Sequence, residues 1–227
     1  MTTIAPLTRS EVVPIPGPLP PCWLRIRPTA PDADETPGGG ILRVGRQATL
    51  HKALLQTIEG AREVILVASF LLSDTAIATA LLRASERGCR VYVLTASENR
   101  LATIVREDDA FELRMVDEHR RLLEQLAGNV LRRSAAHFHA KFLIADPGPQ
   151  ARGWLSTANF NPALRESVEL GVELSTSASA ELASWFSWAF WKEAEHELAE
   201  KGRLARVVAP PAEPVPADAG EIVVTTN

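Results

Sequence analysis

The sequence predicts an α/β fold built on a largely parallel sheet with helices packed against it. Three observations carry that reading. Strands and helices alternate from Ile41 to Thr95, the helices stop at glycines, and the inner strands are apolar runs of the kind a covered sheet needs.

Ile41 to Val44 reads as the first strand. Gln47 to Glu59 follows as a helix ending at Gly60, with Leu50, Leu54, Leu55 and Ile58 on one face. Glu63 to Ser69 is a buried strand by its Val-Ile-Leu-Val run. Asp74 is positioned to cap a helix over 75–87, Gly88 stops it, and Arg90 to Thr95 forms the next strand. The segment 98–127 is helical in pieces, with Gly128 as a break. His137 to Ala145 and Trp154 to Thr157 read as strands joined by the turn Asp146-Pro147-Gly148-Pro149, and Ser167 to Leu174 as another. A last helix, about Ser179 to Lys201, stops at Gly202. Leu182, Trp185, Trp188 and Ala189 share one of its faces, which reads as core or subunit interface.

The folded unit therefore spans 41–206. Residues 1–40 form a proline-rich arm ending in Gly38-Gly39-Gly40, a composition that resists helix and central strand alike. Residues 207–227 read as a flexible tail.

The chain has 227 residues, 46% of them hydrophobic, enough for one sizeable core. A net charge of -4 argues against a protein that coats nucleic acid by bulk charge, while leaving room for a local basic groove. Cys22 and Cys89 are the only cysteines, too few for a disulfide framework or a thiolate metal site. The opening residues hold no basic segment followed by an apolar one, and no apolar run approaches the ~18 residues of a membrane span, so the expectation is a cytoplasmic protein without stable membrane association.

Chemistry concentrates in His139-Ala140-Lys141-Phe142-Leu143-Ile144-Ala145-Asp146, an H-x-K followed by four residues and an aspartate. Strand alternation puts His139 and Lys141 on one face and Phe142 and Ile144 into the opposite layer. A nucleophile and a phosphate-binding cation then share a surface.

This pattern resembles the HKD motif of the phospholipase D superfamily. Ser156-Thr157-Ala158-Asn159 resembles that family's G-S-x-N element, with Ser-Thr standing where the family has Gly-Ser, and Glu169 lies at the family's spacing beyond it. The resemblance covers most of 41–200 and implies the fold class: α/β, a mixed, largely parallel sheet flanked by helices on both faces, a phospholipase D-like α-β-α sandwich. It also implies that Glu169 holds the far nitrogen of His139 and fixes its tautomer. The segment from Thr157 to Pro162 resembles the related domain of polyphosphate kinases as well.

The expected reaction follows from the residue types. A neutral imidazole attacks the phosphodiester to give a phosphohistidine that water then breaks, and a second, protonated imidazole donates to the leaving oxygen. Lys141 supplies a cation and Asn159 an amide to the phosphoryl oxygens, with Thr157 and Ser156 beside them. Asp146 completes the catalytic set as the residue that fastens the loop or the partner's site rather than touching phosphate. Arg132 and Arg133, just before the motif, either form a solvated face or grip a polyanionic strand beyond the scissile phosphate. The scheme needs no metal and no cofactor.

Two imidazoles are needed and the sequence has one such motif. His51-Lys52 lacks the spacing, His119 has no asparagine element after it, and His196 sits in a charged helix. The superfamily's single-motif members pair two chains, so the resemblance implies a homodimer with a shared site.

The substrate expectation is nucleic acid, with a lipid phosphodiester as the alternative. A nucleic-acid-binding subunit of a larger complex, with a silent site, is a reading from another class. His137, His139 and Asp146 could instead ligate a metal, against which Lys141 on the same face stands. A serine hydrolase on Ser69 or Ser156 lacks the G-x-S-x-G elbow.

Overall fold

The computed structural model describes residues 41–43, 48–104, 110–200 and 203–206, with side chains of 41–43, 104, 110–112, 199–200 and 203–206 left undescribed. All of them belong to the compact unit Ala33–Asn227. The expected arm over 1–40 and tail over 207–227 lie outside the described residues.

The elements run β1 (Ile41–Arg43), α1 (Thr49–Gly60), β2 (Val64–Ala68), α2 (Thr75–Glu86), β3 (Arg90–Ala96), α3 (Glu98–Ile104) and α4 (Ala110–Leu126). They continue with β4 (Leu131–Ala135), β5 (Phe142–Ala145), β6 (Arg152–Ser156), α5 (Ala163–Glu166), β7 (Leu170–Leu174), α6 (Thr176–Trp188), β8 (His196–Glu200) and β9 (Arg203–Arg206). The strands form a mixed sheet in the order β1-β7-β6-β5-β2-β3-β4-β8-β9. Its centre, β2-β3-β4, is parallel, and the pairs on either side are antiparallel.

Helices cover both faces, as expected. On one face Leu50, Leu54 and Ile58 of α1 and Ile77 and Leu81 of α2 pack on Ile65, Val67, Val91, Val93 and Leu143. On the other, Leu182, Ala183 and Phe186 of α6, with Phe190, cover Leu66, Ala68, Leu94, Phe142 and Ile144. Each such leucine, isoleucine, valine or phenylalanine contributes about 1.5–3 kcal/mol by leaving water. The caps agree with the sequence: Asp74 accepts a hydrogen bond from the Ile77 amide, and Gly88 and Gly128 take positive φ where α2 and α4 end.

Three elements differ from expectation. β4 was not foreseen, because Leu131-Arg132-Arg133-Ser134-Ala135 lacks an apolar pattern, yet it pairs in parallel with β3. The motif strand is shorter than 137–145: β5 begins only at Phe142, so His139 and Lys141 stand on its irregular lead-in. The last helix stops early. After Trp188 a π turn, Ala189–Glu193, ends it, and β8 and β9 form a hairpin that pairs with the edge of β4. Among the described residues no helix is long and apolar enough to cross a membrane.

Candidate active site

Sheet topology gathers the site at one end. Ala68 at the close of β2 pairs with Phe142 at the start of antiparallel β5. Phe142 in turn pairs with Leu155 near the end of β6, and Ser156 with Gly171 near the start of β7. The residues after β2, β3, β4 and β6 and those before β5 and β7 therefore emerge together, at the carboxyl end of the parallel strands where open α/β sheets place ligands.

His139 and Lys141 occupy that end. The Lys141 Nζ stands 3.1 Å from Nδ1 and 3.2 Å from Nε2 of His139 and donates to the His139 carbonyl at 2.7 Å. Phe70, just beyond β2, meets the imidazole edge-on with ring centroids 5.1 Å apart. Partial burial, then the charges of Lys141 and Arg100, hold the His139 pKa below its ordinary 6.5. Burial also lowers Lys141, against the pull of Glu169. A neutral imidazole beside an ammonium group is the protonation pattern a nitrogen nucleophile needs.

The asparagine loop is tied to the same place. The Ser156 amide donates to the Lys141 carbonyl at 2.9 Å. The Phe160 amide donates to Ser69 Oγ at 2.9 Å, while the Ser73 and Asp74 amides donate to the Phe160 carbonyl at 2.8 and 3.0 Å. Asn159 between these anchors keeps a buried Oδ1 without a partner. Glu169 takes the Thr157 hydroxyl, whose oxygen also accepts the Leu170 amide at 3.0 Å.

Several expected roles change here. The Glu169 carboxylate is engaged by Thr157 rather than by a nitrogen of His139, because Thr157 and Leu170 close β6 and β7 directly against it. Ser156 spends its hydroxyl inside its own loop, donating to the Ala158 carbonyl and accepting the Ala158 amide. Neither Ser156 nor Thr157 offers a free donor to phosphate in this arrangement.

Asp146 stands at the opposite end of β5 from His139. Four strand residues separate the H-x-K from it, so five steps of strand, roughly 16 Å, lie between Lys141 and Asp146. Its carboxylate accepts the Arg62, Glu63 and Val64 amides at 2.8 to 3.2 Å, which pins the entry to β2. It fastens the entry to β2, rather than the site loop or a partner's site, at the end of the strand away from His139. His137, His139 and Asp146 consequently do not gather, and the described residues contain no cluster of three or more His, Cys, Asp or Glu suited to a metal.

Arg132 and Arg133 are buried and do not form a substrate-gripping face. Arg133 pairs with Glu197 at 2.9 Å, donates to the Phe190 carbonyl, and lies over the Phe190 and Trp191 rings. Arg132 points into the opposite layer, where its Nη2 donates to the Leu198 carbonyl. Both were misplaced because their strand carries no pattern by which a sequence could assign faces.

A cleft of about 570 Å³ opens beside His139, lined by Arg100, His137, Phe138, Trp185 and Trp188. Arg100, absent from the expected site, reaches it from α3. The two tryptophans pack partly on the core and partly line this cleft, a division that helical spacing alone does not reveal.

The family model described as cardiolipin synthase, PLD-like domain, matches residues 54–191, more than half of the chain. No curated protein matches the sequence. Among solved structures, the phospholipase D family member Nuc from Salmonella typhimurium is 16% identical, with a TM-score of 0.50 over 74% of this chain and 99% of that one. NucT from Helicobacter pylori is 15% identical, with a TM-score of 0.52 over 68% of this chain and 96% of that one. Phosphatidylserine synthase from Haemophilus influenzae Rd KW20 is 14% identical, with a TM-score of 0.56 over 73% of this chain and 41% of that one. At such identities the likeness is one of fold, and it agrees with the family match across β2 to α6: the chain belongs to the phospholipase D superfamily.

Proposed function

We propose that the chain is a metal-independent nuclease that works through a phosphohistidine at a site shared by two copies. The observation that carries this is the exposed imidazole of His139 in contact with the Lys141 ammonium, beside the anchored Asn159 loop.

The neutral ring nitrogen of His139 forms a bond to phosphorus as the bond to the leaving oxygen breaks. That oxygen takes a proton from the partner's His139. Water, giving its proton back to the same partner ring, then attacks phosphorus and releases His139. Lys141 meets the phosphoryl oxygens as a cation and Asn159 as an amide donor.

Two features support pairing of copies. Each chain supplies one imidazole of this kind, and apolar side chains stand exposed at the ends of β6 and β7: Leu155, Leu170 and Val168, the last 73% exposed, flank the Thr157–Glu169 pair. A nucleic acid fits the cleft because Trp185 and Trp188 offer flat faces for bases and Arg100 a charge for a neighbouring phosphate. The lipid reading draws on the cardiolipin synthase description of the family model and on the phosphatidylserine synthase fold.

The test is incubation of purified protein with labelled single-stranded DNA, RNA and phosphatidylglycerol vesicles in excess EDTA. Cleavage of a nucleic acid, lost at least 1,000-fold in His139→Ala, is the expected result, on the order of a missing nucleophile. Turnover of vesicles alone would replace the nuclease by a lipid enzyme, and tight DNA binding without cleavage would replace it by a binding subunit.

A further inference from the structure

A second cavity, of about 300 Å³, lies between β3, β4, α4 and β8 and shares no lining residue with the cleft beside His139. Arg132 and His119 are two of its walls. Arg132 is 2% exposed, and although Nη2 donates to the Leu198 carbonyl at 3.0 Å, Nε and Nη1 have no partner. No carboxylate of the described residues comes within ion-pair distance of it. Glu98, in the same cavity, accepts two hydrogen bonds from Arg120 instead, and Glu124 stands exposed at the rim without reaching Arg132.

His119 stands on a second wall. Its Nδ1 lies 3.0 Å from the Leu72 amide and 3.2 Å from the Leu72 carbonyl; with the closer amide donating to Nδ1 the ring proton sits on Nε2, a nitrogen that is also buried without a partner. Complete burial pushes the pKa down to about 4, so at neutral pH the ring is uncharged and carries a single N–H. The charge of Glu124 acts on Arg132 only from a distance, and a buried guanidinium without a hydrogen-bonded counter-charge is costly, since buried N–H groups almost always find an acceptor. The two unpartnered Arg132 nitrogens, with His119 Nε2 as a third donor in the tautomer set by the Leu72 amide, call for an acceptor in the cavity.

We propose that this cavity binds a small oxyanion, a phosphate group in particular, between Arg132 and His119. Leu123 and Leu198 line the same space and give it room for a short organic substituent on that phosphate. The site is independent of the phosphodiesterase reading, because it uses none of the residues beside His139.

The test removes the other phosphate site first. A His139→Ala/Lys141→Ala double variant is titrated by calorimetry at low ionic strength with inorganic phosphate and, separately, with a 5′-mononucleotide. One phosphate per chain is expected, and the tighter of the two probes identifies whether free phosphate or a phosphomonoester is the natural occupant. Adding Arg132→Met, which keeps the volume and removes the charge, is expected to weaken binding at least 10-fold while leaving the unliganded protein no less thermally stable. Leu123→Trp, which fills the cavity from α4, is expected to block binding as well, and it serves if Arg132→Met does not fold. No binding by the double variant, or binding that survives these substitutions, overturns the proposal.

Discussion

The protonation of His139 is set by its surroundings, burial first and then the charges of Lys141 and Arg100, all of which favour the neutral ring. In the proposed reaction the attacking ring is active when neutral, so the acid limb of kcat/KM is expected below the ordinary histidine value of 6.5. Removing one neighbouring charge in Arg100→Gln should move that limb upward, which a pH–rate profile and the His139 ring resonances can follow together. A limb at or above 6.5 in the wild type contradicts this account. Asp146 behaves in the opposite sense as an acid. Burial works to raise its pKa, but the Val64, Glu63 and Arg62 amides outweigh burial and hold the carboxyl below 3.8. The depressed folded value means its contribution is complete above the unfolded pKa and is lost as pH falls through the folded one. Asp146→Ala is expected to cost about 1.5–3 kcal/mol at neutral pH, the range for hydrogen bonds to a charged group, and to flatten the acid end of the stability curve. Urea denaturation at pH 7 and pH 3 measures both.

At the scale of elements, the site depends on strands being level with one another at one end of the sheet. Gly171 in β7 illustrates how little slack there is: a Cβ there would lie 2.2 Å from Cδ1 of Leu50 on α1. Gly171→Ala must displace the buried Leu50 side chain on α1, at a cost of about 1–3 kcal/mol, and it should lower activity too, because Leu170 carries the amide that holds Thr157. Thermal melts alongside cleavage rates test the pair; an unchanged Tm would show that Leu50 yields freely. The closing hairpin explains an error of pattern. Alternation in His196-Glu197-Leu198 suits a strand as well as a charged helix does, and the choice is made by the open edge of β4, where Glu197 meets Arg133 and the ladder to β8 forms.

For the molecule as a whole, the proposed reaction needs two imidazoles and one chain brings a single imidazole of the required kind. In that proposal, pairing of two copies supplies the proton donor. Mixed dimers of wild type and His139→Ala contain one nucleophile and no partner ring to protonate the leaving group. Their activity per wild-type subunit is expected to fall at least 100-fold, the scale of a lost general acid. Full activity in such dimers, or a monomer in sedimentation at the working concentration with activity intact, would remove the shared site.

The sequence by itself determined the alternation of strands and helices, the helix ends at Asp74, Gly88 and Gly128, and the contact of His139 with Lys141, because these depend on local periodicity and on close spacing along the chain. Only the tertiary structure decided which faces Arg132 and Arg133 occupy, that Glu169 engages Thr157, that Asp146 anchors the far end of β5, and that Arg100 and two tryptophans border the cleft. Those outcomes depend on which strands become neighbours, and pairing is fixed by the packing of distant segments, a quantity that no local stretch of sequence contains.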